Sequence, residues 1–306
     1  MDVKRKYAGI VLFSALVVGF ETVIIEGALR IADLSVYLVA GVPTIVGGSI
    51  LLGISPKSSG EFARGLGGRG WIAMLAVCVL SATGILMWYD AVGRIGASKE
   101  AILGGGSSEV LFIVILSAIF LKERLSRLEA IGSILVVLGV FVVLANGEDL
   151  GLSLGIGEAE AIISSVFLAI SVVIVTKLLR THELTPLSGI ELLVSGLLTM
   201  LVASSLGLVG TWPTSRGWGI LLAIGILPAI GLLTYNAGLP KIGASMTGVL
   251  YALSGIITVG VQLVVLFFIP DADLQLPDSL FLAVTGSMIA FVGVYLLNRQ
   301  PLRKDT

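Results

Sequence analysis

The sequence predicts an all-helical integral membrane protein of about ten transmembrane helices, built as two five-helix repeats inserted in opposite orientations. Three observations support this fold class. The chain is 56% hydrophobic and only 13% charged, whereas soluble domains carry roughly 25% charged residues. Its mean hydropathy is +1.07, and apolar runs of about 20 residues, the length that crosses a bilayer, recur along it. Two local sequence patterns also occur twice, about half a chain apart.

Ten apolar runs are long enough to cross a bilayer, and the connections between them are short. The first run is longer than the apolar core of a secretory signal peptide, so we expect it to remain as the first span. The longest connection covers residues 55–70 and is rich in glycine, serine and charge. The expected spans are residues 7–29, 34–54, 71–91, 98–121, 128–145, 154–178, 186–209, 217–237, 243–268 and 279–297.

The basic residues orient these spans, because cytoplasmic loops of membrane proteins are enriched in Lys and Arg. With ten spans, both termini and every second loop share one side of the membrane. Fifteen of the 19 basic residues fall on that side. The other side holds Arg30, Arg94, Lys99 and Arg216. We therefore expect a multi-pass protein of the cell (plasma or inner) membrane with both termini in the cytoplasm.

The repeated patterns indicate how the chain is organised. Ile-Gly-Ala-Ser occurs at residues 95–98 and again at 242–245, and a second glycine-spaced pattern begins at Gly132 and at Gly286. A repeat of five spans must enter the membrane upside down in its second copy. We predict a first repeat over residues 1–150 and a second, inverted repeat over 151–306. This architecture is common in secondary transporters, which bind substrate near the bilayer midplane.

Residues 95–144 resemble the repeat of the drug/metabolite transporter (DMT) superfamily, specifically its EamA branch. The resemblance rests on the Ile-Gly-Ala-Ser cluster, on Glu109 fourteen positions before Glu123, on Leu-Lys-Glu-Arg-Leu at residues 121–125, and on a final helix with spaced glycines. The typical proline after the first glutamate and the glycine before the Glu-Arg pair are replaced, and the second half has residues 270–277 in place of the Glu-Arg turn. The resemblance implies an exporter or exchanger of small metabolites.

The embedded charges narrow the expected substrate class. A charge at the centre of a span costs about 3 kcal/mol on insertion scales, so acids inside spans are functional candidates. No Lys or Arg lies deep in a predicted span, whereas a carrier of strongly anionic substrates would need buried positive charge or several dipoles to replace the lost hydration. We expect a secondary carrier of small neutral, zwitterionic or cationic metabolites such as amino acids. Alternating access around a midplane cavity would move them, with or without proton coupling.

The candidates for substrate binding or proton coupling are polar side chains inside spans: Glu109, Glu21, Tyr251 and Gln262. Glu109 follows a run of glycines and serines near the middle of its span. Each acid has two readings that the sequence leaves open, a group lining the cavity or a structural hydrogen-bonding group that fixes helix packing. Glu26 lies close to the predicted outer end of the first span, where we expect its carboxylate to reach solvent.

The candidates for moving parts are aromatic and polar residues near span ends and glycines inside spans. Aromatic residues at such positions also serve as interfacial anchors. The gate candidates are Trp88, Tyr89, Tyr235 and Asn236. Glycine weakens a helix by roughly 1 kcal/mol per residue and permits close helix approach. The hinge candidates are Gly104, Gly105, Gly106 and Gly255.

Several other functions are disfavoured by the sequence. With one cysteine, Cys78, and one histidine, His182, it offers no intrachain disulfide and no Cys/His metal cluster, and we expect neither metal nor cofactor. No basic patch with aromatics suggests nucleic acid. The Gly-x-Gly-x-x-Gly at residues 65–70 follows no strand, so a dinucleotide site is not expected. The expected partners are a small-molecule substrate and the lipid bilayer, with the chain as a monomer or homodimer. The alternative is a non-transporting membrane scaffold or an intramembrane enzyme.

Overall fold

The computed structural model describes residues 3–120, 127–144, 155–277 and 279–297. All regular secondary structure in these ranges is helical. The Leu-Lys-Glu-Arg-Leu sequence at 121–125 and the expected repeat boundary at 150/151 lie outside them. The helices are α1 Val3–Arg30, α2 Val36–Ile54, α3 Pro56–Gly65, α4 Gly67–Ile95, α5 Ala97–Leu103, a π-helical segment Gly104–Ser108, α6 Glu109–Phe120, α7 Arg127–Leu144, α8 Ile156–Leu178, α9 Leu184–Ser205, α10 Ser215–Ile224, α11 Ile226–Ile242, α12 Ala244–Tyr251, α13 Leu253–Phe268 and α14 Leu280–Leu297.

Seven helical stretches in the described part of the chain are long and apolar enough to cross a membrane. They are α1, α2, α4, α8, α9 and the composite stretches Ser215–Ile242 and Ala244–Phe268. Large apolar side chains such as Phe13, Phe267 and Phe281 face outward, as expected where lipid rather than water surrounds the protein. The all-helical membrane class agrees with the sequence analysis, and the count of ten spans stays a prediction.

The fourth predicted span, expected as one helix over residues 98–121, is divided into three parts. α5 ends at Leu103, the π-helical segment follows, and α6 begins at Glu109. A π-helical segment forms i→i+5 hydrogen bonds, so it takes up more residues per turn than an α-helix, and such segments occur frequently at functional sites. The glycine run that forms it tolerates backbone geometries that other residues resist. The helical register therefore shifts between α5 and α6.

Two glycines lead into the short helices α5 and α12 with nearly the same backbone conformation. Gly96 has φ 81° and ψ 156°, and Gly243 has φ 87° and ψ 159°. A positive φ is costly for a residue with a side chain, which explains glycine at both positions. Each glycine is the second residue of an Ile-Gly-Ala-Ser pattern. The two patterns thus share a local structure as well as a sequence.

The long helices pack across the two halves of the chain. α1 packs against α11 and α13, and α8 packs against α4 and α6. α2 packs against α9, and α7 packs against α14. Each of these pairs joins a helix before residue 145 to one after residue 155, so the two halves are packed against each other along their long helices.

The connection at residues 55–70, expected as a loop, contains the helix α3. Pro56 stands in its first turn, where the missing N–H group costs nothing. Phe62 is buried, and its ring meets that of His182 edge-on with the centroids 5.5 Å apart. This contact attaches α3 to the turn between α8 and α9.

Close contact between α2 and α9 depends on glycine. A Cβ atom built on Gly48 would overlap the backbone of α9 at Gly189 and Leu193, and one built on Gly196 would overlap α2 at Thr44. Small residues at helix interfaces let two backbones approach closely. The resulting van der Waals packing contributes to helix association in a bilayer.

Gly48→Val should therefore destabilise the protein by about 1–3 kcal/mol, the usual cost of overpacking. Gly53→Val on the same helix is the matched control, because no atom lies within 4 Å of a Cβ built on Gly53. The two detergent-solubilised variants are heated, and size-exclusion chromatography then measures the difference between their unfolding temperatures. Equal unfolding temperatures would mean that α2 and α9 are not in close contact at this point.

Candidate functional site

A cavity of about 110 Å³ lies among helices of both halves of the chain. Helices α1, α2, α4, α6, α8, α9, α11 and α12 form its walls. One water molecule needs about 10–15 Å³, so the cavity has room for several waters or a small ligand. The polar side chains that line it are Glu21, Thr44, Ser81, Trp88, Tyr89, Glu109, Ser171, Glu191, Tyr235, Asn236 and Tyr251. We call it the central cavity.

Three carboxyl groups dominate the chemistry of the central cavity. Glu21, Glu109 and Glu191 are 2%, 6% and 5% exposed. No Lys or Arg is among the described residues that line it. An isolated buried carboxylate is very costly, so it needs hydrogen-bond donors, a proton or a cationic ligand. Among the described residues, no group of three His, Cys, Asp or Glu side chains is arranged to hold a metal ion.

Glu109 is the least satisfied of the three acids. It is the first residue of α6, so the π-helical segment directly before it sets the direction of its side chain. In the described part of the chain, no backbone or side-chain donor hydrogen-bonds to its carboxyl group. The open hydrogen-bonding capacity of Glu109 therefore faces the cavity, where a ligand could use it.

Glu21 is held by a tyrosine from α4. The Tyr89 hydroxyl donates to Glu21 Oε1 at 2.9 Å, and Tyr89 is only 1% exposed. The neighbouring Trp88 ring meets the Tyr89 ring edge-on with the centroids 4.9 Å apart. These contacts hold Glu21, a predicted binding residue, on the wall of the central cavity. They also hold the gate candidates Trp88 and Tyr89 there.

Glu191 belongs to a cluster that the sequence analysis did not select. The Ser81 hydroxyl donates to Glu191 Oε1 at 2.8 Å, and Ser171 approaches the same oxygen at 3.5 Å. Glu191 Oε2 is buried without a partner among the described residues. The sequence signal for this site was an acid inside the predicted span 186–209, but the hydroxyls that hold it come from α4 and α8.

The second half contributes a cluster of aromatic and amide groups to the cavity. The rings of Tyr235 and Tyr251 meet edge-on with the centroids 4.9 Å apart, and the Tyr235 hydroxyl is buried without a described partner. The Asn236 amide donates to Ser188 Oγ at 3.0 Å. All four gate candidates thus line the central cavity, and their role in gating stays a prediction.

Gln262, expected as a cavity group, lies elsewhere. Its Nε2 donates to Glu26 Oε2 at 2.9 Å, and its Oε1 accepts from the Ser98 backbone N–H and the Ser98 hydroxyl. Glu26 also accepts from the backbone N–H groups of Ala97, at 3.1 Å, and Gln275, at 2.6 Å. The expectation that Glu26 reaches solvent is wrong, because three protein donors replace water around a fully buried carboxyl group.

The hinge candidates fall into two structural settings. Gly104, Gly105 and Gly106 form the start of the π-helical segment. Gly255 lies where α13 crosses α5, and a Cβ atom there would approach the Ala101 carbonyl oxygen to 2.8 Å. The observed use of Gly255 is therefore close helix packing, while bending at any of the four glycines stays a prediction.

Glu100 is a second buried acid that the sequence analysis missed. It is 1% exposed, and its Oε2 accepts a hydrogen bond from Trp88 Nε1 at 2.7 Å. In the sequence it stands near the end of a predicted span, a position where charged side chains usually reach water. In the structure it lies on α5, between the helix interruption at Gly96 and the π-helical segment, and its side chain is turned inward.

Comparison with known proteins gives consistent results. Residues 5–145 match the model of the EamA-like transporter family. The chain is 26% identical over 196 residues to an uncharacterized transporter of Methanothermobacter thermautotrophicus, covering 62% of this chain and about half, 53%, of that relative. It is 23% identical over 252 residues to the pseudopaline exporter CntI of Pseudomonas aeruginosa, covering 82% of each chain.

A solved crystal structure shares the fold of this chain. The TM-score is 0.63 with 18% sequence identity, and the match covers 95% of this chain and 99% of the other. At this identity the likeness concerns the fold alone. It extends over nearly the whole sequence, beyond the part that matches the family model.

Proposed function

Since residues 5–145 belong to the EamA-like transporter family, we propose that this multi-pass membrane protein is a secondary transporter of small metabolites that are neutral, zwitterionic or cationic, such as amino acids. The observation that supports this most is the central cavity, which is lined by three buried carboxyl groups and by no basic residue of the described chain. Both curated relatives are named as transporters, which favours this function over a membrane scaffold or an intramembrane enzyme.

The charges of the cavity support the proposed substrate class. A cationic or zwitterionic molecule brings an ammonium group that can offset the cost of a buried carboxylate. A strongly anionic molecule would add to that cost. The volume of about 110 Å³ is below the 300–1,000 Å³ typical of pockets for drug-sized ligands, so it suits a small metabolite. Glu109, whose carboxyl group has no described partner, is the proposed contact for the ammonium group.

The packing of the helices supports two inverted repeats over residues 1–150 and 151–306, with ten spans in total. In this arrangement the first repeat comprises α1, α2, α4, α5 with α6, and α7, and the second comprises α8, α9, α10 with α11, α12 with α13, and α14. Exchanging the repeats turns the pair α1–α11 into α8–α4, and both pairs are in contact. It turns α2–α9 and α7–α14 into themselves. A two-fold relation between the repeats produces such a pattern, and the odd number of spans proposed for each repeat would make the second copy inverted.

The proposed cycle is alternating access, in which the two repeats rock around the central cavity. Trp88 and Tyr89 would close one side, and Tyr235 and Asn236, at the corresponding repeat positions, would close the other. The bias of basic residues supports a location in the plasma or inner membrane with both termini in the cytoplasm. One relative is named an exporter, which supports transport out of the cell.

Flux into proteoliposomes tests this function. We expect the purified protein to exchange labelled amino acids or small amines across the membrane, with uptake stimulated by unlabelled substrate inside. Dicarboxylates and phosphorylated compounds should not be exchanged. Protein-free liposomes control for leakage. Absence of flux over a panel of amino acids and small amines would contradict a transport function, and exchange of dianions alone would contradict the proposed substrate class.

A further inference from the structure

A second, smaller chamber adjoins the central cavity. It has a volume of about 20 Å³ and shares Trp88, Glu109 and Tyr251 with the central cavity. Glu100 and several hydroxyl-bearing residues line only the smaller one. We call it the side chamber. Because one water molecule needs about 10–15 Å³, the side chamber has room for one occupant of that size.

The Glu100 carboxyl group has one satisfied oxygen and one open oxygen. Oε2 accepts from Trp88 Nε1 at 2.7 Å, while Oε1 is buried with no hydrogen-bond partner among the described residues. Oε1 lies over Gly104, where a Cβ atom would collide with it. Leaving a buried carboxyl oxygen unpaired is costly. The unpaired oxygen of this buried glutamate therefore indicates a bound species beside it that is not part of the protein chain.

Hydroxyl groups around the chamber present acceptor oxygens. Thr22 donates its hydroxyl hydrogen to the Val18 carbonyl at 2.8 Å. Ser164 and Ser165 both donate to the Ala161 carbonyl at 2.9 Å. Because these hydrogens are engaged within their own helices, the oxygen lone pairs remain for an occupant. Carboxyl and hydroxyl oxygens together form a ligand set for a hard cation.

The carboxyl groups of Glu100 and Glu109 both line the side chamber. No Lys or Arg is among the described residues that line it. Glu109 is the titratable group that acts on Glu100, and Glu100 in turn acts on Tyr251. Lys99 is next in sequence to Glu100, but its ammonium group bonds to Glu158 Oε1 at 2.7 Å on α8. Two carboxyl groups around one small space cannot both ionise at low cost unless a proton or another cation is shared between them.

We propose that the side chamber binds one small monovalent cation, a proton or Na⁺, shared between Glu100 and Glu109. A whole organic cation is too large for the space, and Mg²⁺ keeps several waters that would not fit. Glu109 lines both spaces, so a cation in the side chamber changes the charge that a substrate meets in the central cavity. Glu100 is therefore a binding residue for the coupling ion. This coupling role rests on the proposed transport function, whereas the binding itself does not.

Trp88 provides a readout of binding that needs no transport substrate. Its indole N–H bonds directly to Glu100, and the chain has only three other tryptophans, Trp71, Trp212 and Trp218. With these three replaced by phenylalanine, we expect the emission of Trp88 to change saturably as NaCl replaces choline chloride at constant ionic strength, or as the pH is lowered without Na⁺. The first result identifies Na⁺ and the second identifies a proton.

Glu100→Gln should weaken the response of Trp88 to that cation at least about tenfold, which corresponds to about 1.4 kcal/mol. Glu61→Gln, which removes an exposed carboxyl group outside both the central cavity and the side chamber, is the control and should keep the response. No emission change with either cation, or an unchanged response in Glu100→Gln, would overturn the proposal. A response lost equally in Glu61→Gln would overturn it too.

Two further measurements complete the test. If the single-tryptophan variant does not fold, the cation should still raise the unfolding temperature of the unaltered chain, because binding to the native state stabilises it. Glu100→Gln should abolish that rise, and a rise that persists in this variant, or no rise in the unaltered chain, overturns the proposal. A Trp88 response without any substrate flux would leave the cation site standing while contradicting the proposed function, so the two failures are distinguishable.

Discussion

Glu109→Gln should reduce transport by roughly 10- to 100-fold while leaving the folded yield unchanged. The glutamine keeps the size of the side chain but removes the charge that is proposed to bind an ammonium group. A hydrogen bond to a charged group contributes about 1.5–3 kcal/mol, which converts to that range of affinity. Among the described residues, no hydrogen-bond donor contacts the Glu109 carboxyl group. Replacing this group with an amide therefore leaves no such donor without an acceptor. Initial rates of substrate exchange in proteoliposomes provide the measurement.

Two further variants serve as controls for Glu109→Gln. Glu61→Gln, at an exposed acid on α3, controls for the loss of one negative charge and should transport normally. Glu109→Asp should retain part of the activity, because it keeps the charge on a shorter side chain. Full flux in Glu109→Gln would assign this residue a purely structural role. A fall in folded yield that accounts for the whole fall in flux would do the same.

Glu26→Ala should lower the free energy of unfolding by about 3–5 kcal/mol. The truncation removes one acceptor from each of three donors, the backbone N–H groups of Ala97 and Gln275 and the amide of Gln262. The Gln262 amide keeps its other hydrogen bond, to the Gln275 carbonyl oxygen at 3.0 Å. Each buried donor left unsatisfied costs about 1–3 kcal/mol, with some relief where water enters. These donors belong to α5, to α13 and to the segment after α13, so Glu26 joins α1 to three separate parts of the chain. Thermal unfolding in detergent measures the loss.

Asp273→Asn is the matched control for Glu26→Ala. Asp273 forms an ion pair with Arg30 at 3.3 Å, so it too joins the end of α1 to the segment after α13. Its side chain is 69% exposed, however, and surface ion pairs contribute about 0–1 kcal/mol. The control should therefore change the unfolding temperature little. If both variants lose the same free energy of unfolding, the buried hydrogen bonds of Glu26 stabilise these segments no more than the exposed ion pair of Asp273 does.

The sequence predicted several residues of the central cavity without predicting how they meet. Glu21, Glu109 and Tyr251 were selected because polar groups inside apolar spans are costly, and all three line the cavity. The same rule selected Gln262, which lies in the Glu26 cluster, and it did not select Glu100. The rule depends on depth along a span. It does not say which neighbouring helix a side chain faces.

The local features of the chain were determined by the sequence alone. Hydropathy over about 20 residues identifies a membrane-spanning helix because the bilayer rewards apolar length regardless of tertiary contacts. The glycine of each Ile-Gly-Ala-Ser pattern also has a local explanation, since Gly96 and Gly243 adopt a positive φ that a residue with a side chain resists. Both properties depend on neighbouring residues and solvent, so they can be read directly from the order of amino acids.

Only the tertiary structure decided which acids share a site. A spanning helix is apolar on all sides, so its periodicity does not reveal the face that turns inward. That face is set by packing between helices far apart in sequence, such as α1 with α11 and α4 with α8. The π-helical segment then shifts the register between Glu100 and Glu109. As a result, Glu21, Glu109 and Glu191 meet in one cavity, Glu100 and Glu109 line a second, and Glu26 is enclosed with Gln262.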